Sequence, residues 1–218
     1  MPNFDLRIWG SIAGFVCAAT YLFGFAVLAG TDYGSVIGET TNAMAFLAQN
    51  PVLMSVWYLT IYVVNGLFLA LLVLALEDRI APQASEFARV MRTLGLIWAT
   101  LVIGAGMAAN VGLSKALAAF EADPQAAADI WQIAELIENG IGGGNEILGG
   151  LLAVLVGIAG IKLSALPRSF GIFSLIIGVA GLMTVIAVLE PVAGPVFGLG
   201  YIVWFVWIAG ILRKPLSQ

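Results

Sequence analysis

Six apolar runs follow one another along the chain, at Ile8 to Ala29, Leu53 to Leu76, Leu94 to Leu113, 144 to 163, Phe170 to Leu189 and Val196 to Leu212. A helix rises about 1.5 Å per residue, so runs of this length suit the ~30 Å hydrocarbon core of a bilayer. The first run is too long for an ordinary signal-peptide core and shares a pattern with later runs, so it reads as a span. Between the runs the pattern changes. Thr31 to Asn50 carries Asp32 and Glu39 and then an Ala-, Met- and Phe-containing segment that stops at Asn50-Pro51, which predicts a short interfacial helix. Asp123-Pro124 offers an N-cap followed by proline in the first helical turn. From there Ala126, Ile130, Ile133, Ala134 and Ile137 fall on one side and Gln125, Asp129, Gln132, Glu135 and Asn139 on the other, which predicts an amphipathic helix on the membrane surface. Trp131 and Leu136 blur the two faces. Trp57, Tyr58 and Tyr62 open the second span and read as an interfacial aromatic belt.

The predicted architecture is therefore all-α: one transmembrane domain over residues 1–218, a bundle of six transmembrane helices in three helical hairpins, with amphipathic interfacial helices on the outer side. Composition agrees. The 218 residues are 61% hydrophobic and 10% charged, against about 25% charged in soluble domains, and the mean hydropathy is +1.03. Charge then sets the threading. If both termini and the second and fourth connections are cytoplasmic, Arg7, Arg79, Arg89, Arg92, Lys162, Arg168, Arg213 and Lys214 share one side and only Lys115 is left outside. This is the positive-inside distribution. The outer side then collects Asp32, Glu39, Glu121, Asp123, Asp129, Glu135, Glu138, Glu146 and Glu190, a face that concentrates cations and repels anions.

A repeat underlies the runs. Arg7-Ile-Trp-Gly10, Arg92-Thr-Leu-Gly95 and Arg168-Ser-Phe-Gly171 each open an odd-numbered span, and they use three of the six arginines. Duplicated hairpins are frequent in small transporters, although a repeat does not by itself establish transport. The turn Leu166-Pro167-Arg168-Ser169-Phe170-Gly171, together with six spans and a glycine-rich fourth span, resembles a bacterial group of six-helix integral membrane proteins of unknown function. That resemblance covers most of the chain. It implies a bacterial plasma (inner) membrane location and no activity, so it carries over no site residue.

The candidate chemistry lies in Glu135 to Glu146. On one helix, Glu135, Glu138, Asn139, Asn145 and Glu146 fall within an arc of roughly 120°, an acidic stripe entering the membrane. Glu146 then sits about 6 Å below the outer boundary, where it reads either as part of an acidic vestibule or as a helix start favoured by the dipole. Glu135 and Glu138, higher up, read most simply as solvated. Asn65 and Asn110, deeper in the second and third spans, read as interhelical hydrogen bonds or as contacts for a solute. Lys115 reads as a snorkelling cation and Cys17 as helix packing.

The chain has no histidine and one cysteine, which removes the usual ligands for haem, zinc and copper and allows no internal disulfide. No cofactor or metal site is predicted, and nothing suggests nucleic-acid binding. Three function classes remain. The first is a binding site or pathway for a small cation or cationic solute, gathered by Glu146, Asn145, Glu138 and Asn139 with Asn65 or Asn110 deeper. The second is a non-catalytic accessory or assembly subunit, whose glycine-rich helix faces dock a second copy or another membrane protein. The third is a membrane-embedded enzyme using Glu138 and Glu146 as acid and base on a lipid-like substrate. It is the least supported, because no nucleophile-base pair or phosphate-cradling loop accompanies the carboxylates.

Overall fold

The computed structural model describes residues 5–143 and 146–214, and among them every regular element is helical. In chain order these are α1 (Leu6–Gly30), α2 (Tyr33–Val36), α3 (Thr40–Gln49), α4 (Pro51–Tyr58), a π-helical turn (Leu59–Val64), α5 (Asn65–Ile80), α6 (Ser85–Phe120), α7 (Pro124–Glu138), a second π-helical turn (Asn139–Gly143), α8 (Ile147–Ile161), α9 (Arg168–Met183) and α10 (Glu190–Leu212). Five stretches are long and apolar enough to cross a membrane: Leu6–Gly30, Pro51–Ile80, Ser85–Phe120, Pro124–Ile161 and Glu190–Leu212. Where the sequence predicts a fifth span from Phe170 to Leu189, the helix is 16 residues long and stops at Met183. Thr184 to Leu189 continue as turns.

The local signals explain most boundaries. Proline in the first turn starts α4, α7 and α10, where its missing N–H costs no helical bond. Asp123 caps α7, its Oδ1 accepting from the backbone N–H of Gln125 at 3.0 Å and of Ala126 at 3.0 Å. Gly38 is the described glycine with a left-handed backbone, φ 88°, in the turn before α3.

The chain forms two compact units. The first comprises residues 1–19, 66–100 and 145–218. Its framework is α8 packed on α9, and α9 on α10. The α8–α9 seam is backbone against backbone: a Cβ built on Gly150 would lie 2.7 Å from the Gly178 carbonyl oxygen, and one on Gly171 would lie 2.9 Å from the Gly157 carbonyl oxygen. Small residues permit this closeness, and dispersion across the seam replaces the hydrophobic drive that lipid does not supply. The repeat acquires a physical meaning here. Gly10, Gly95 and Gly171 are all close-approach points, each leaving less than 3.0 Å for a Cβ, against Ala75, Val73 and Gly157 respectively. Along α10, Phe197, Tyr201, Trp204 and Phe205 are buried in succession, with Tyr201 donating to the Gly149 carbonyl at 2.8 Å and the Trp204 indole donating to the Ser174 hydroxyl. The ion pairs of this unit, Arg7–Asp5, Arg89–Glu86 and Arg92–Glu77, are at least partly exposed and contribute little to stability. The Arg7 guanidinium bonded to Asp5 holds that carboxyl below its usual range.

The second unit comprises residues 20–65 and 101–144. Its core gathers Tyr33, Met44, Leu47, Met54, Trp57, Tyr58, Leu113 and Trp131, with α3 packed on α7. One expectation changes here. Trp57 and Tyr58, read as an interfacial belt, are only 7% and 4% exposed. They turn inward because Tyr33 meets Trp57 edge-on at 5.8 Å and Trp131 meets Tyr58 edge-on at 5.7 Å. The face of α7 that packs within the protein carries Ala127, Trp131, Ala134 and Glu138, while Ile133 and Ile137 of the apolar side are exposed. Trp131 supplies the largest buried surface on the helix, and α7 turns to bury it.

Candidate functional site

The site is built in the second unit around one carboxylate. Glu138, at the end of α7, is 6% exposed and accepts a hydrogen bond from the Tyr62 hydroxyl. This corrects the reading of Glu138 as solvated: the face that buries Trp131 carries Glu138 inward two turns later. Among the described residues no lysine or arginine pairs with it. Tyr62 belongs to the π turn Leu59–Val64, and Glu138 directly precedes the π turn Asn139–Gly143, so both members stand where α-geometry is interrupted. Such interruptions in helices frequently accompany functional sites. The first is held closely, because Gly106 on α6 leaves no room for a side chain against Tyr62.

Aromatic rings extend the pair. Tyr62 stacks on Tyr58 at 6.2 Å, and Tyr58 meets Trp57 edge-on at 4.8 Å. The Tyr58 and Tyr33 hydroxyls are 2.8 Å apart and bonded to each other, and Trp57 donates to the Gly24 carbonyl at 3.2 Å. Burial pushes the Tyr33 hydroxyl well above the usual phenol range, and the nearby carboxylates of Glu135 and Glu138 add to the shift. The buried indole N–H of Trp131 faces the half-buried Glu135 carboxylate, one turn further along α7, and the two interact. The arrangement is a buried carboxyl group bonded to one member of an aromatic cluster, a combination that suits a cation.

The other predicted residues separate. Asn139 is exposed and bonds back to the Glu135 carbonyl at 2.9 Å. Asn110 likewise bonds to the Gly106 carbonyl, one turn back in its own helix, at 2.9 Å. Asn65 is 2% exposed and donates to the Thr20 hydroxyl at 2.7 Å, the interhelical bond anticipated for it. Replacing Asn65 with leucine is expected to cost about 0.6 and at most ~2 kcal/mol in detergent unfolding. An Asn65→Leu protein as stable as wild type would show that this bond contributes nothing. Asn145 lies outside the described residues.

Glu146 belongs to the first unit. It is the N-cap of α8, and its backbone N–H donates to the Thr184 hydroxyl at 2.9 Å, which in turn donates to the Gly181 carbonyl at 2.7 Å. Its side chain makes no capping bond, and among the described residues it has no ion pair. Glu146 thus stands at a helix start, partly buried and without the capping bond its side chain could make. Sequence reasoning missed Tyr62, Tyr33, Trp131 and Thr184 as site neighbours. One signal was present: Ala127, Trp131, Ala134 and Glu138 follow i, i+4, i+7 and i+11, a single helix face. Among the described residues no cluster of three or more possible metal ligands forms. Compared with protein-family models, with curated proteins and with solved structures, the chain matches none of them.

Proposed function

We propose that this chain is a multi-pass protein of the plasma membrane that binds a small cationic solute at Glu138 and Tyr62. The observation that carries the reading is a carboxylate only 6% exposed, accepting from a tyrosine, with no basic partner among the described residues. Ionisable residues in such positions are costly and mark ligand or ion paths. Burial denies the Glu138 carboxylate its hydration, the Tyr62 bond replaces only part of it, and a bound cation would supply the missing charge partner. Aromatic neighbours favour an organic amine over a hard metal ion, which prefers a shell of oxygens.

The proposed topology has six spans in three parallel hairpins, both termini in the cytoplasm and nine of the thirteen acidic residues outside. The distribution of eight of nine basic residues supports it. The sixth crossing is supported by the turns after α9, where Val185, Ile186 and Val188 extend the apolar surface of a helix too short to cross alone. The glycine seam of α8 and α9 is filled within the chain, which leaves an assembly role less surface.

The test is thermal stabilisation of the purified protein over a panel of amines, quaternary ammonium ions and inorganic cations, with Glu138→Gln and Glu146→Gln beside wild type. An amine that raises the midpoint of wild type and Glu146→Gln but not of Glu138→Gln is the expected result. Stabilisation lost in Glu146→Gln instead moves the site to α8, and no response in any protein refutes a cation site.

A further inference from the structure

Around α7 from its buried face, in the second unit, a groove of about 530 Å³ runs between α6 and α7, lined by Gly104, Ala108, Val111, Ile133 and Ile137 and ending at Lys115. We infer that it seats one acyl chain of an anionic phospholipid, with Lys115 holding the headgroup phosphate. This goes beyond the cation site and uses none of its residues.

Three observations choose the occupant. The first is length. Gly104, Ala108, Val111 and Lys115 fall on one face of α6, and the eleven residue steps from the first to the last rise about 16 Å. That is about half of the ~30 Å hydrocarbon core, the depth of one leaflet. The second is lining. Every wall residue is apolar and the floor is kept open by glycine and alanine, so the groove offers nothing to a polar ligand until its end. Its volume falls within the usual range for a bound small molecule, about 300–1,000 Å³. The third is charge. Lys115 is the one lysine or arginine between Arg92 and Lys162, it is exposed, and among the described residues it has neither an ion pair nor a hydrogen-bond partner. Past it the chain turns acidic at Glu121 and Asp123, which repel a phosphate, so Lys115 is the attractive point for an anionic headgroup on this part of the chain.

The experiment uses the full chain, delipidated in a neutral detergent, and titrates phosphatidylglycerol and phosphatidylcholine with identical acyl chains. Bound lipids are counted by native mass spectrometry and the thermal midpoint is followed in parallel. Wild type should bind one phosphatidylglycerol about fivefold more tightly than phosphatidylcholine, the preference an exposed lysine gives near a membrane surface. Lys115→Gln, a surface substitution that leaves folding untouched, should abolish the preference while leaving phosphatidylcholine binding unchanged. Ala108→Phe should fill the groove and remove the tight site for both lipids. Equal affinity for the two lipids in wild type, or an undiminished preference in Lys115→Gln, overturns the inference. So does stabilisation by inorganic phosphate alone, which would make Lys115 a simple anion site. A tight site that appears only in dimeric protein would assign the groove to a second copy and overturns it as well.

Discussion

Gly178→Val will lower the unfolding free energy by about 3 kcal/mol, the upper end of ordinary overpacking, and Gly150→Val will do the same. At Gly178 an added Cβ would lie 2.7 Å from the Val154 backbone nitrogen and 2.8 Å from the Gly150 carbonyl oxygen. At Gly150 it would lie 2.7 Å from the Gly178 carbonyl oxygen and from the Leu182 nitrogen. Backbone atoms cannot swing aside as the tip of a side chain can, so α8 and α9 must part along their length. Each atom pair that separates gives up only about 0.1–0.2 kcal/mol, but the seam holds many. The two substitutions open the same seam, so the double variant should lose clearly less than the sum of the singles. Gly210→Ala on α10, where an added Cβ meets nothing within 4 Å, should stay within about 0.5 kcal/mol of wild type. Equal midpoints for Gly178→Val and Gly210→Ala would mean that the helices are not this close.

The second large effect is expected at the tyrosine-carboxylate pair. Tyr62→Phe removes a donor from a charged acceptor that is 6% exposed, and bonds to charged groups contribute about 1.5–3 kcal/mol. We expect a loss of about 2 kcal/mol in denaturant unfolding. Glu138→Gln should cost about 1 kcal/mol, since an amide still accepts from the phenol and brings no buried charge. In the Glu138→Gln background the further loss on Tyr62→Phe should shrink by at least ~1 kcal/mol, because the orphaned charge is then absent. Strict additivity in this cycle would show that the two side chains do not depend on each other.

Much of the fold is legible in the residues. Asp123-Pro124 opens α7, Asn50-Pro51 divides α3 from α4, and the arginine-glycine repeat marks three close approaches, because each of these signals acts within a few residues of itself. Asn65 is legible for the same reason that a lone amide in an apolar run must find a partner. Glu138 is not. Its spacing from Trp131 places both on one face, but the isoleucine side of α7 is the more apolar, and it is Tyr58 receiving the indole that turns the Trp131 face into the protein. Trp57 and Tyr58 fail for the complementary reason. A tyrosine near a span's end is equally suited to a headgroup and to a neighbouring ring, and the choice depends on α2 and α7, about 25 and 70 residues away in the chain. Met183 ends α9 early with no proline or charge to announce it.

The π turn at Leu59–Val64 also makes the site depend on counting. A helix turned through i→i+5 bonds holds one residue more than its α neighbours, and each residue advances an α-helix by about 100°. Removing any one residue from this turn would leave every side chain chemically intact, yet Asn65 would rotate by about 100° away from Thr20. The same loss would redirect Tyr62 or the residues just ahead of it. Insertions and deletions here should therefore be tolerated far less well than substitutions, and chain length between Trp57 and Asn65 is itself part of the specification of the carboxylate's surroundings.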